Sequence, residues 1–455
     1  MSIKILSPCG ILGYGFPNKS FENGLKMKPD AIIVDAGSTD AGPHKLGAGV
    51  AIVSKQACKK DLQRLILGSR KLDIPCIIGS AGGSGAKVHV DWTMDIVNEI
   101  IAENNIRNLK IAVISADIPK DLILQKMNDN KVIPLGDKVP LLDVASLNET
   151  NTVVAQMGME PIVEALENGA NLIICGRAYD PSPFAAFGAF KGCSKALSYH
   201  LGKILECGAL CCDPGTTKDC MMGEIYDDYF DVYSLDEMRT CSTVSVAAHT
   251  FYEKDHPFLL HGPGIVQNLE DCDFSQISSN RVRVSNSKLE ETEQYSIKLE
   301  GAKKVAYRTF VIAGVRDPLL IERIEEVEQL VKESIWEQYS EIDRDDYTIN
   351  FINYGKNGVM GELETESFEG YEIGVLFEVL SKTQKLSSAI CASCRSTFLH
   401  YGYENRKSTA GNLAFPFAPS DVEFGAVYAF SVYHLMEIDD PKSLFPIKYI
   451  EVENE

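Results

Sequence analysis

Five short apolar runs rich in β-branched residues recur through the first half of the chain. They are Ala31-Ile32-Ile33-Val34-Asp35, Cys76-Ile77-Ile78-Gly79, Lys110-Ile111-Ala112-Val113-Ile114, Thr152-Val153-Val154-Ala155 and Asn171-Leu172-Ile173-Ile174-Cys175. Each is followed by turn residues and then a helical pattern, which predicts a parallel sheet covered by crossover helices. Right-handed crossovers place the turns after these strands along one edge of the sheet.

Helix signals agree with this placement. Pro161 falls in a first turn, Ile162, Val163, Ala165 and Leu166 form an apolar stripe, and Gly169 ends it. Asp180-Pro181 reads as an N-cap followed by the first helical position. Further helices are expected over Trp92 to Ala102 and Leu197 to Leu210.

The texture changes near Cys212-Asp213-Pro214-Gly215. Val244 to Ala247, Arg281 to Val284, Tyr295 to Leu299 and Val305 to Ile312 alternate like antiparallel strands with one wet face. Ile321, Ile324, Val327, Leu330, Val331 and Ile335 then recur at helical spacing, predicting one amphipathic helix from Pro318 to Tyr339. The fold expected is α/β: an N-terminal parallel-sheet domain, Rossmann-like and doubly wound, over 1–215, followed by a smaller α+β domain over 216–455. The length of 455 residues agrees with two domains, because single cores stop growing near about 250–300 residues.

Charge narrows the function. With 44 Lys+Arg against 64 Asp+Glu, the formal net charge is −20, and no basic run offers a nucleic-acid surface. No apolar stretch approaches the roughly 20 residues that cross a bilayer, and the N-terminal segment is too broken by Pro8, Gly10, Gly13 and Pro17 for a signal sequence. A cytoplasmic protein is expected, its 13 scattered cysteines reduced.

Ligands in open parallel sheets sit beyond the carboxyl ends of the strands, and three polar loops fall there. Asp35 to His44 supplies Asp35, Asp40 and His44 as candidate acid–base groups, although the same residues fit an Asx turn with a surface histidine. Gly79 to Lys87 brings Ser80, Gly82, Gly83, Ser84 and Gly85, whose backbone amides can point at an anion. It satisfies neither GxGxxG nor GxxxxGK[ST], and a plain tight turn is the alternative. The third loop carries Arg177, a planar fork for a carboxylate or phosphate, and Asp180. His89 and Asp91 follow the glycine loop, where Asp91 could cap a helix.

Elsewhere, Ser408, Thr409 and Asn412 suggest a ligand-facing loop, with a structural Ω-type loop as the alternative. His200 and Cys207 share a helix flank but stand about 10 Å apart along its axis, too far for a nucleophile pair. Cys391 and Cys394 have zinc or redox spacing without a second pair, so no metal centre is expected from them. Cys211-Cys212 is uninformative.

Together the Ser80 to Lys87 turn, the Glu160-Pro161 helix leading to Gly176-Arg177-Ala178-Tyr179-Asp180, the Leu205-Glu206-Cys207-Gly208-Ala209 helix and the Ser408-Thr409-Ala410-Gly411-Asn412-Leu413 loop resemble the acyclic terpene utilisation (AtuA-like) family. The resemblance implies a catabolic role on a small organic acid, di- or tricarboxylic or branched, or on its CoA thioester. It also implies a small companion protein. The chain departs from the terpene-pathway type at Asp35 to His44 and at Ser408 to Asp421, so the terpene itself is not carried over.

The expected function is therefore a hydratase, lyase or isomerase without a redox cofactor, acting beside a carboxylate. Arg177 would clamp the anion, the Gly82 to Gly85 amides would hold a second anion or an oxyanion, and Asp35, Asp40 or His44 would move the proton. No cofactor is expected, although Asp and His groups from separate loops leave a divalent metal open. A homo-oligomer is expected. The alternative is a non-catalytic binding or scaffold subunit whose companion carries the chemistry.

Overall fold

The computed structural model describes residues 2–252, 256–366, 370–407 and 409–453. In chain order its strands are β1 (Ile3–Ser7), β2 (Ala31–Asp35), β3 (Cys76–Gly79), β4 (Leu109–Ile114), β5 (Val132–Pro134), β6 (Thr152–Ala155), β7 (Leu172–Cys175), β8 (Met221–Ile225), β9 (Tyr229–Ser234) and β10 (Leu259–Gly262). There follow β11 (Ile265–Asn268), β12 (Asp273–Ser278), β13 (Arg281–Ser285), β14 (Lys288–Glu291), β15 (Ser296–Val315), β16 (Tyr347–Tyr354), β17 (Ile373–Ser381), β18 (Val422–Glu437) and β19 (Ile447–Val452).

The fold is α/β, with a mixed ten-stranded sheet in the order β12-β13-β9-β8-β1-β2-β3-β7-β4-β19. Its centre, β1-β2-β3-β7-β4, is parallel, and both flanks are antiparallel. Strands β2, β3 and β7 are buried along their whole length, which is why they read as unbroken apolar runs. Alternate residues feed two cores. Ile33, Ile77 and Ile173 enter one, while Ile32, Val34, Ile78 and Ile174 enter the other.

The chain divides into two compact units, Met1–Lys303 with Phe430–Glu455, and Lys304–Ala429. The change of texture near 212–215 falls inside the first unit. It marks where the same sheet turns from parallel to antiparallel pairing, because β8 adds antiparallel to β1. In the second unit, the Lys304–Val315 part of β15 pairs with β17, which pairs with β16. Helices 324–338 and 384–400 share a core with these strands through Val327, Val331, Ile390 and Phe398.

Four local expectations are corrected. Strand β6 does not join the parallel sheet; it pairs antiparallel with β15, Val154 opposite Glu300, since a four-residue apolar run carries no information about which edge it will meet. Thr243–Thr250 is a helix, opened by reciprocal bonds between Ser242 and Ser245, with Val246 inward and Val244 out. The helix expected to reach Leu210 stops at Leu205 and gives way to a 3-10 turn at Gly208–Cys211. There Gly208, at φ +62°, lies so close to Gly10 that a Cβ would stand 2.7 Å from its nitrogen. The helix expected over 318–339 is split into Pro318–Glu322 and Ile324–Gln338.

Candidate functional site

The loops that leave β2, β3 and β7 do meet. Beyond the ladder, Ala36 donates to the Gly79 carbonyl (2.9 Å), Ala81 to the Cys175 carbonyl (2.9 Å), and Arg177 to the Gly85 carbonyl (3.1 Å). The glycines make this contact possible. Gly37 faces the Gly83 backbone, and Gly85 (φ +64°) abuts Gly176 and Arg177 so closely that no Cβ fits.

Arg177 is 1% exposed. Its Nε donates to Glu300 Oε2 at 2.8 Å, and its Nη1 donates to Asp180 Oδ1 at 2.7 Å, to the Ala178 carbonyl at 2.7 Å and to Ser80 Oγ at 3.1 Å. The fork read as a substrate clamp is thus filled by the protein's own carboxylates. Burial works against the charge on Arg177, but Glu300 and Asp180 outweigh it and hold the guanidinium charged. Burial alone would likewise raise Glu300; Arg177 and Lys298 reverse this and keep its carboxyl below the usual range. Asp180 does not cap the following helix, because its carboxylate is spent on Arg177, and it is a quarter exposed.

Glu300 also connects outward. It accepts from Gln156 Nε2 at 3.1 Å and pairs with Lys298 Nζ at 3.2 Å. Gln156 and Lys298, with His261, Thr292, Gln294 and Ser296, line a cleft of about 430 Å³ in the first unit. Lys298 donates to the Tyr433 hydroxyl at 2.7 Å.

Asp35 ends β2, 5% exposed. Its Oδ2 accepts from the Gly37 amide at 3.2 Å, while Oδ1 has no hydrogen-bond partner among the described residues. Burial pushes its carboxyl well above the ordinary range; Asp180 and Glu206 add to this and Arg177 opposes it. Glu206 pairs with Lys203 at 2.6 Å, and Cys207 Sγ lies 2.9 Å from the Tyr252 hydroxyl. The buried hydroxyls of Thr39 and Ser84, on the two loops joined at Gly37 and Gly83, also lack partners among the described residues.

The remaining predicted residues are placed differently. Asp40 is exposed and its carboxylate takes the Ser38 hydroxyl, the local turn that the sequence also allowed. His44 lies half-buried on the short helix Pro43–Ala48, with burial and then Lys45 lowering its pKa. Asp91 lies inside helix Lys87–Glu103, paired with Lys87, and does not cap it. Ser408 lies outside the described residues. Thr409 is exposed, and Asn412 donates to the Phe398 and Tyr401 carbonyls, tying the loop to the end of helix 384–400 in the second unit. His200 bonds Ser287 and Thr250. Cys391 and Cys394 lie in the second unit's apolar core.

Glu300, Glu206, Lys203, Lys298 and Gln156 were not read from the sequence as site residues. The one local signal was a glutamate ending the apolar face of the 197–205 helix. Glu300 had none, because it lies 123 residues from Arg177 and becomes its neighbour only through β6–β15 pairing.

No curated protein and no solved structure matches the chain. The model of the acyclic terpene utilisation family protein AtuA matches residues 59–226 and 236–405. These segments cover the glycine-rich loop, Arg177, Asp180, Glu206 and Glu300 and more than half of the chain, and the protein therefore belongs to the acyclic terpene utilisation family.

Proposed function

We propose that the protein is a catabolic enzyme that adds water to, eliminates from or isomerises a small organic acid or its CoA thioester. The family's description as one of acyclic terpene utilisation supports the catabolic part. The observation that carries the chemistry is Asp35: a buried carboxyl, pushed toward its protonated form, whose Oδ1 has no partner among the described residues, beside the meeting of three loops.

Asp35 then acts as the proton donor, and Asp180 as the carboxylate that accepts one. Two carboxyls in contrasting surroundings divide acid and base roles in this way. The substrate carboxylate replaces Asp180 on Nη1 of Arg177, the one partner of that guanidinium that meets solvent. This exchange keeps Arg177 neutralised while releasing Asp180 toward the substrate. Ser84 Oγ and Thr39 Oγ1 are the donors for a developing oxyanion.

The test is turnover of a panel of di- and tricarboxylic and branched acids, and their CoA thioesters, by the purified chain with and without the small companion protein. General acid catalysis contributes about 100–10,000-fold, so Asp35→Asn should lower kcat by at least about 100-fold with the fold retained. Full activity in Asp35→Asn removes the acid from the mechanism. Turnover that appears only with the companion, and is indifferent to Asp35 and Arg177, favours a scaffold subunit instead. Arg177→Lys keeps the charge and loses the fork; unchanged KM and kcat in that variant refute the exchange.

A further inference from the structure

We propose that Cys211, Cys212 and Cys241 form a binding site for one thiophilic metal ion, monovalent copper by the chemistry of the donors. The three Sγ atoms lie within 4.8 Å of one another, and all three residues are buried. Three sulfurs each about 2.3 Å from one centre stand about 4 Å apart, so an ion seats among them with only small side-chain shifts. The Cys212 and Cys241 sulfurs are 3.5 Å apart, and Met221 Sδ lies 3.4 Å from Cys212 Sγ.

Buried cysteines are often small hydrophobes in a core. Here the convergence is held by backbone and by amides. Asp213 and Thr240 exchange both backbone hydrogen bonds, at 2.8 and 3.1 Å, which sets Cys212 opposite Cys241. The Cys241 amide donates to Asn280 Oδ1 at 3.0 Å, and its carbonyl accepts from Gln276 Nε2 at 2.9 Å. Asn280 is itself held by the Ser234 carbonyl. Cys211 and Cys212 enter from the 3-10 turn, whose continuation at Asp213 to Gly215 is exposed and gives an ion a path inward.

The donor set chooses the ion. Thiolate and thioether sulfurs select soft ions over Mg²⁺ or Ca²⁺, which need oxygen. Structural zinc takes four ligands, usually thiolate or imidazole, whereas here the fourth donor at hand is the thioether of Met221. That favours Cu⁺, which accepts three sulfurs or three with a thioether.

The test is anaerobic titration of the reduced full-length chain with Cu⁺ against bathocuproine disulfonate, run beside Zn²⁺ against a chromogenic chelator. One Cu⁺ per chain should be retained, with a sulfur-only first shell by X-ray absorption. Alkylation in mild denaturant, mapped by mass spectrometry, should show Cys211, Cys212 and Cys241 reacting in the metal-free chain and protected on loading. Outer-shell changes at metal sites already cost 10–100-fold, so Cys241→Ser and Cys211→Ser should each weaken Cu⁺ by about 100-fold or more. Cys394→Ser, in the second unit, should not. The wild-type stoichiometry and protection map decide the matter even where a variant fails to fold. Failure to retain Cu⁺, protection of other cysteines instead, tighter Zn²⁺ binding, or a Cys212–Cys241 disulfide as the sole thiol chemistry overturns the proposal.

Discussion

A Cβ built on Gly85 stands 2.1 Å from the backbone nitrogen of Arg177. The glycine-rich loop is therefore the surface on which the Arg177 loop rests, and its glycines serve backbone contact between neighbouring strand ends.

Gly85→Ala meets both this clash and a φ of +64°. Strain in the left-handed region costs about 1–3 kcal/mol, and overpacking a similar amount. Denaturant unfolding should show a loss of about 2–5 kcal/mol. A midpoint equal to the wild type would mean that the loops part without cost.

Arg177 and Glu300 form an ion pair shut off from solvent. Removing one partner leaves a buried charge, so Glu300→Ala should cost about 3–5 kcal/mol. Because an apolar pair can replace a buried ion pair at little cost, Arg177→Met with Glu300→Leu should recover much of that loss in stability. It should not recover activity. Additive losses in a double-mutant cycle would sink the coupling.

Asp35 gives the protein a pH dependence of defined sign. Its carboxyl is raised in the folded chain above the ordinary 3.8. The stability it contributes is whole below that value and drains away as pH climbs through the raised one. Asp35→Asn cannot ionise, so its stability relative to the wild type should improve as pH rises above 3.8. A constant difference across that range would contradict the raised carboxyl.

Glu328 provides the same test in the second unit. It is 6% exposed on helix 324–338, and burial raises its carboxyl from 4.5 to about 7. Its contribution is present below pH 4.5 and lost by pH 7, an amount on the order of 3 kcal/mol. Glu328→Gln should remove that slope, as read from unfolding midpoints at pH 4.5 and 8.

Much of the candidate site was legible in the chain because its parts follow strands that are apolar on both sides. The runs ending at Asp35, Gly79 and Cys175 mark three neighbouring strand ends, and Arg177 and Asp180 lie just past the third. The partners of Arg177 were only half legible. Asp180 is three residues away, but Glu300 depends on β6 leaving the parallel sheet for β15. Val244 to Ala247 shows the converse, where alternation suggested a strand and the Ser242–Ser245 cap made a helix.

The alternation of apolar runs with glycine- and proline-marked turns is written along the chain, and with it the α/β class and the loops at the rim. These follow from local covalent and solvation chemistry, which acts within a few residues. Tertiary structure alone decided that Arg177 spends its fork on Glu300 and Asp180, that Asp35 loses its solvent, and that Cys211, Cys212 and Cys241 converge. Charge state and coordination depend on what surrounds a group in space, and those surroundings come from segments that the chain order keeps apart.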